Sequence, residues 1–174
     1  MNRVEIHQRL AAADERLTAL ARAELHGLTD PDPGETERWE PGQVWAHLAE
    51  FPTYWLGQVL RIVDAAAEGQ EQPIPFGRMK TDPGRVGAIE RDRRQDQALL
   101  LERMQRGISL TRKQLDGFSL DDLDVHGLHP VRGEMTVASI IERFIVDHLE
   151  EHAEQLEQLA AGTPAARTPA ARRG

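Results

Sequence analysis

The stretch from residue 136 to 156, TVASIIERFIVDHLEEHAEQL, decides how the rest of the chain is read. Thr136 carries a hydroxyl suited to capping a helix, and apolar residues follow it at helical spacing. On a wheel turned about 100° per residue with Val137 at zero, Ile140, Ile141, Phe144, Ile145, Leu156 and Leu159 cover an arc from about −60° to +100°. His148 falls at about 20° and His152 at about 60° on the same wheel. A straight helix therefore points two imidazoles into its own core, one turn apart on one face. This helix is expected to reach Ala161.

The same periodicity occurs upstream. Ile6, Leu10, Ala13, Leu17 and Leu20 mark a first helix over Val4 to Leu25, with His26 and Gly27 as its stop. A second helix opens at Pro41, whose fixed φ suits a first turn, and runs to Glu68. Val44, Leu48, Phe51, Trp55 and Val59 form its buried stripe, and Pro52 inside it predicts a kink. Asp82 and Pro83 start a third helix reaching Leu115, charged almost all round in its middle, ERDRRQDQ, and hence the most solvated of the four. The connections TDPDPGETERWE, EGQEQPIPFGRMKTDPG and DGFSLDDLDVHGLHPVRGEM read as loops. About 14 residues between the second and third helices reach at most ~46 Å, so a long crossover is permitted. The expectation is an all-α four-helix bundle over residues 1–161, followed by a disordered basic Pro/Ala-rich tail over 162–174, GTPAARTPAARRG.

Bulk composition narrows the chemistry. The chain has 174 residues, 40% hydrophobic, 29% charged and only 5% aromatic, with a net charge of −8. That length suits one domain, and that charge opposes a polyanionic partner such as nucleic acid. Cysteine is absent, which removes disulfides, thiolate ligands and a cysteine nucleophile together. No segment approaches the ~20 apolar residues of a membrane span, and the N-terminus lacks a signal-like apolar run, so a cytoplasmic protein is expected.

Any metal must then be held by histidine and carboxylate. His47 sits at about −60° on a wheel of the second helix with Val44 at zero, on the edge of its buried stripe. A buried imidazole needs both nitrogens satisfied, and one metal ion satisfies three rings at once. On the residues alone, a metal site at His47, His148 and His152 and a set of core histidines with hydrogen-bonded partners both stand. His7 and His26 read as solvent-facing or capping residues, and His126 and His129 as loop residues whose i, i+3 separation also permits metal. HLEEH at 148–152 also satisfies H-x-x-E-H, in which Glu151 would serve a metalloprotease as general base. Little chain follows His152, so a further ligand must come from upstream, which suits His47 and disfavours a protease.

Two segments carry a resemblance. RWEPGQVWAHLAEFPTYW, with Trp39, Val44, His47 and Leu48, and HPVRGEMTVASIIERFIVDHLEEHAEQL, with Gly133, Thr136, His148, His152, Gln155 and Leu156, resemble the DinB/YfiT-like metalloenzyme family. The resemblance implies a bundle of up-down-down-up order, a divalent metal, zinc or nickel, on His47, His148 and His152, and a homodimer. Relatives of this type include thiol S-transferases that use bacillithiol or mycothiol, and the metal-binding domain of mycothiol-dependent maleylpyruvate isomerase, whose additional C-terminal domain has no counterpart in these 174 residues, so isomerisation is not the expected activity. The leading expectation is an enzyme that activates a low-molecular-weight thiol as a metal-bound thiolate and delivers it to an electrophilic small molecule. Glu50 and Glu151 are candidates to orient a ligand or shuttle a proton, against the reading of both as solvated surface acids. The alternatives are a metal-dependent hydrolase and a non-enzymatic helical module with a structural metal, for which His129 or Glu50 would close the shell. Trp55 and Phe51 are expected in the core, and Trp45 is left between core and pocket.

Overall fold

The computed structural model describes residues 2–31 and 36–162; the basic tail expected over 162–174 lies, from 163 onward, outside the described residues. Its elements are α1 (Arg3–Leu20), α2 (Pro41–Ala67), β1 (Ile74–Pro75), α3 (Pro83–Asp92), α4 (Gln97–Gly117), α5 (Leu120–Asp124), β2 (His126–His129), β3 (Gly133–Thr136), α6 (Val137–Ile141), a π-turn (Glu142–Val146) and α7 (Asp147–Ala161).

Cross-helix partners give the topology. His7 bonds Asp116 and Gln105 bonds Asp14, so α1 and α4 run antiparallel. Gly42 abuts Arg93 and Gly107 abuts Pro52, so α2 and α4 run parallel. Arg9 meets Glu150 and Arg16 meets Glu157, so α1 and α7 run parallel. With the α6 to α7 segment as the last member, the bundle is up-down-down-up. Two parallel neighbours, α2 and α4, require the chain between them to travel back along α2. It does so through Arg61 against Pro75, Gln58 against Gly77, Glu50 against Arg78 and Glu40 against Arg93. This return segment lies beside the turns of α2 that carry His47.

The interior joins Ile6, Leu10 and Leu17 of α1 to Phe51, Trp55 and Val59 of α2, Met104 and Leu115 of α4, and Ile140 and Leu156 of the last helical segment. Trp45 is buried with them, so all three of Trp45, Trp55 and Phe51 belong to the core. Helix α2 runs through Pro52 as one element, the proline ring packing against Gly107 where α4 has no side chain.

Four expectations are corrected. Helix α1 ends at Leu20, not Leu25; Arg22 and Ala23 turn back to Ala19 and Leu20, and His26 N–H bonds Leu159 O. Docking on α7 sets this end, and Gly27, at φ +84°, falls in the following segment. The third helix is two. Asp92 is buried and takes Arg91, Gln95 and Arg103, while Asp96 accepts from Ala98 N–H as the cap of a new helix. The charged middle is thus a corner, and α4, far from being mostly solvated, buries Leu100, Met104, Ile108 and Leu115. The third loop contains α5 and a hairpin, β2 antiparallel to β3, with β1 added parallel to β2.

The last helix is not straight. Asp147 N–H bonds Glu142 O, five residues back, and this π-turn inserts one residue into the helical phase. Before it Val137, Ile140 and Ile141 face inward; after it Leu149, His152, Ala153 and Leu156 do. The stripe shifts by about one residue, or 100°. Phe144 and His148, mid-core on a straight wheel, therefore lie at the edge of the core, half-buried.

Candidate metal centre

Helix α2 is started by a reciprocal cap between Glu40 and Gln43 with Pro41 in its first turn, and presents His47 to the antiparallel α7. The first two turns of α7 present His148 and His152. Nε2 of His148 lies 3.1 Å from Nε2 of His47 and 3.2 Å from Nε2 of His152. One ligand atom from each of the three lies within 4.8 Å of the others. Nitrogens on one tetrahedral zinc, each about 2.0–2.1 Å from the ion, stand about 3.4 Å apart. The observed spacings are close to that.

The outer nitrogens decide what the inner ones can be. Nδ1 of His148 is 3.1 Å from Glu151 Oε2, and Nδ1 of His152 is 2.7 Å from Gln155 Oε1. The hydrogen bond from His148, reinforced by Arg143 at 2.6 Å and opposed by burial, holds the Glu151 carboxyl down at about 2. An ionised carboxylate only accepts, so Nδ1 of His148 carries a hydrogen, and in the uncharged ring Nε2 is then a bare lone pair. Burial, aided by the proximity of His148, pushes His152 down to about 3, and burial followed by His152 and His148 pushes His47 well below the usual range. With their outer nitrogens bonded, His148 and His152 thus turn their Nε2 atoms toward each other at 3.2 Å, and Nε2 of His47 meets that of His148 at 3.1 Å. A cation relieves that arrangement, as does a hydrogen on Nε2 of His47, and the donor set fits a divalent ion that favours imidazole.

His47 differs from the other two. Its Nδ1 is buried without a hydrogen-bond partner, and Glu50 Oε2 is 3.7 Å away. That carboxylate is engaged by Arg78 at 2.6 Å, the guanidinium lying 3.7 Å above the Tyr54 ring. Arg78 and Glu50 are nearly enclosed, with side-chain exposures of 9% and 14%. Aromatic rings wall the cluster. Trp39 lies parallel to His152 at 6.1 Å, and Phe51 stands 4.7 Å from His148 and 5.1 Å from His47. Arg85 of the return segment sits 5.2 Å from the Trp39 ring. The side chain of His148 keeps 30% of its exposure, so the cluster opens at that edge.

The structure brings together His47, His148 and His152, and places Glu50 and Glu151 at their outer nitrogens; Glu50 is an enclosed ion-pair partner. Glu151 sits behind His148, away from the convergence point, which is not where a zincin-like general base stands. His129 and His126 are elsewhere. His129 accepts from Val131 and Arg132 N–H and stacks on Phe144 at 5.1 Å, while His126 pairs with Glu134. His7 pairs with Asp116, and His26 lies near Glu24. Sequence reasoning missed Gln155, Arg143 and Arg78 as parts of the site. A signal for the first was present: HLAE, HLEE and HAEQ each place an acceptor three residues after a histidine.

The sequence model of the DinB superfamily matches residues 5–156. Among solved structures, YfiT from Bacillus subtilis, described as "a probable metal-dependent hydrolase with an unusual four-helix bundle topology", is similar with a TM-score of 0.66 at 16% identity, covering 91% of this chain and 86% of its own. An uncharacterized protein from Clostridium difficile 630 is similar with a TM-score of 0.60 at 14% identity over 91% of this chain and 95% of its own. The colibactin self-resistance protein ClbS, solved with a double-stranded DNA, has a TM-score of 0.61 at 14% identity over 93% and 97%. At these identities the likeness is one of fold. No curated protein matches the chain.

Proposed function

Because the chain belongs to the DinB superfamily, we propose that it is a metal-dependent enzyme in which His47, His148 and His152 hold one divalent cation, zinc or nickel, beside an edge open to a small molecule. The convergence of the three Nε2 atoms, with outer nitrogens of His148 and His152 held by acceptors on their own helix, carries this reading. When bound, the ion supplies positive charge that lowers the pKa of a thiol or water ligand and polarises an electrophile. The chain's residues do the rest. Glu151 and Gln155 keep Nδ1 protonated and the rings oriented, as acceptors behind metal-bound histidines do. Glu50, clamped by Arg78, stands 3.7 Å from the outer nitrogen of His47, beyond hydrogen-bond reach. Trp39 and Phe51 exclude water from all but the His148 side, which strengthens charge interactions within.

Of the two nucleophiles, a low-molecular-weight thiol such as mycothiol or bacillithiol is the first reading, with transfer to an electrophilic small molecule. The chain has no cysteine, so the sulfur must arrive with the co-substrate. Hydrolysis is the second, favoured by the likeness to YfiT. A purely structural metal is disfavoured because, among the described residues, no fourth His, Asp or Glu joins the three. A nucleic-acid partner is disfavoured by the net charge of −8, although ClbS shares the fold. No helix among the described residues is long and apolar enough to cross a membrane.

The test is turnover of a chromogenic electrophile by zinc-loaded and nickel-loaded protein, with and without mycothiol or bacillithiol. Thiol-dependent turnover supports transfer; turnover without thiol overturns it in favour of hydrolysis. Equal metal content in wild type and His148→Ala, by elemental analysis, overturns the metal centre itself.

A further inference from the structure

His148 stands at the open edge because the π-turn precedes it, and a π-turn is a rare departure from the α-helix it interrupts. Something must hold it. Glu142 begins the turn and Asp147 follows it, five residues apart, which on a straight α-helix separates them by about 140°. Here one side chain of α1 touches both. Arg9 Nη1 lies 3.4 Å from Glu142 Oε1, Nη2 lies 2.8 Å from Asp147 Oδ1, and Nε lies 2.9 Å from Glu150 Oε1. A single guanidinium reaches carboxylates on both sides of the turn only when the inserted residue rotates them onto one face. The same rotation lets Arg143, inside the turn, reach Glu151, the acceptor behind His148.

We propose that Arg9 is a positioning residue of the metal centre: it clamps the π-turn from the neighbouring helix and so keeps His148 at the edge of the core. Without the clamp, Glu142, Asp147 and Glu150 crowd like charges on one face, and the straight α-helix that relieves them turns His148 toward the middle of the apolar stripe. The proposal rests on the metal reading for its functional meaning.

A natural control exists. Arg16 makes a bidentate pair with Glu157, at 3.0 Å for each bond, between the same two helices but away from the turn. Zinc affinity is measured by calorimetry for the wild type, Arg9→Ala and Arg16→Ala, together with amide exchange at residues 142–148. Arg9→Ala is expected to weaken zinc binding by about tenfold or more, the scale seen when groups behind metal ligands are removed, and to speed exchange at the turn. Arg16→Ala is expected to change neither. Unchanged affinity in Arg9→Ala, or an equal loss in Arg16→Ala, overturns the proposal. If Arg9→Ala fails to fold, Arg9→Lys, which keeps the charge but not the fork, is read by the same criteria. A wild type that binds no zinc removes the metal reading on its own, and exchange at the turn then decides whether Arg9 holds it: unchanged exchange in the variant overturns that as well.

Discussion

Nε2 of His47 and Nε2 of His148 face each other at 3.1 Å across two antiparallel helices, while the other nitrogen of His148 is committed to Glu151. A neutral imidazole cannot donate through both nitrogens, so Nε2 of His148 presents a lone pair that a cation, or an Nε2–H of His47, would meet. His148→Ala removes the ligand shared by both short contacts. It is expected to lose at least 90% of bound zinc, on the order of tenfold or more in affinity when one of three ligands is deleted. Thermal unfolding with and without zinc checks this, because an ion that binds only the folded state raises the midpoint. The same zinc-induced rise in the variant as in the wild type would contradict the assignment.

Gln155 is the acceptor behind His152, at 2.7 Å. Gln155→Leu keeps the side chain's bulk but leaves Nδ1–H of a buried ring without a partner. Zinc affinity is expected to fall about 10–100-fold, and apo stability by about 1–3 kcal/mol for the orphaned donor. Calorimetry and denaturant titration read the two effects separately. An affinity within twofold of wild type would mean that Gln155 orients nothing.

How much of this was legible in the residues depended on whether helical phase was preserved. The inward direction of His47 is legible from the stripe of α2, but its full burial is not, because Val44 to Ala49 are enclosed on every side by the neighbouring segments. His148 and Phe144 were placed mid-core because nothing in IIERFIVDH announces an inserted residue; only Asp147 N–H bonding to Glu142 O shows it. Asp96 carried a cap signal like that of Asp82, but the surrounding charges made it look like a solvated helix interior. The hairpin at 126–136 was hidden by its short strands and by a turn without an Asn-Gly or Asp-Gly pair. Arg78 and Arg85 reach the site only because the chain doubles back along α2, a consequence of topology that local spacing does not encode.

The close parallel approach of α2 and α4 predicts a contrast among glycines. A Cβ on Gly42 would stand 2.1 Å from the carbonyl oxygen of Arg93, and one on Gly107 2.9 Å from Cβ of Pro52, whereas one on Gly57 meets nothing within 4 Å. Gly42→Ala and Gly107→Ala are each expected to cost about 1–3 kcal/mol through overpacking. Gly57→Ala, in the interior of α2, is expected to stabilise by roughly 0.5–1 kcal/mol. Urea midpoints order the three, and a stabilised Gly42→Ala would show that the corner at Arg93 yields freely.

Acidification should unfold the metal-free protein earlier than its carboxylates alone require. Burial lowers His152 from 6.5 to about 3, and lowers His47 and His129 in the same direction. Between those limits the unfolded chain binds more protons than the folded one, so stability rises with pH there. The contribution is fully present above about 6.5 and is lost progressively as pH falls toward 3. Glu151, held at about 2 against its usual 4.5, adds a loss only below about 4.5, so the interval from pH 7 to 5 isolates the histidines. Denaturant midpoints of the metal-free protein are therefore expected to fall between pH 7 and pH 5, and to fall less steeply in His152→Gln. Zinc-loaded protein should show a steeper decline, because protons compete with the ion for the same lone pairs. A flat profile in the metal-free wild type would mean that the two rings on α2 and α7 are solvated rather than enclosed, and the closed walls formed by Trp39 and Phe51 would have to be given up.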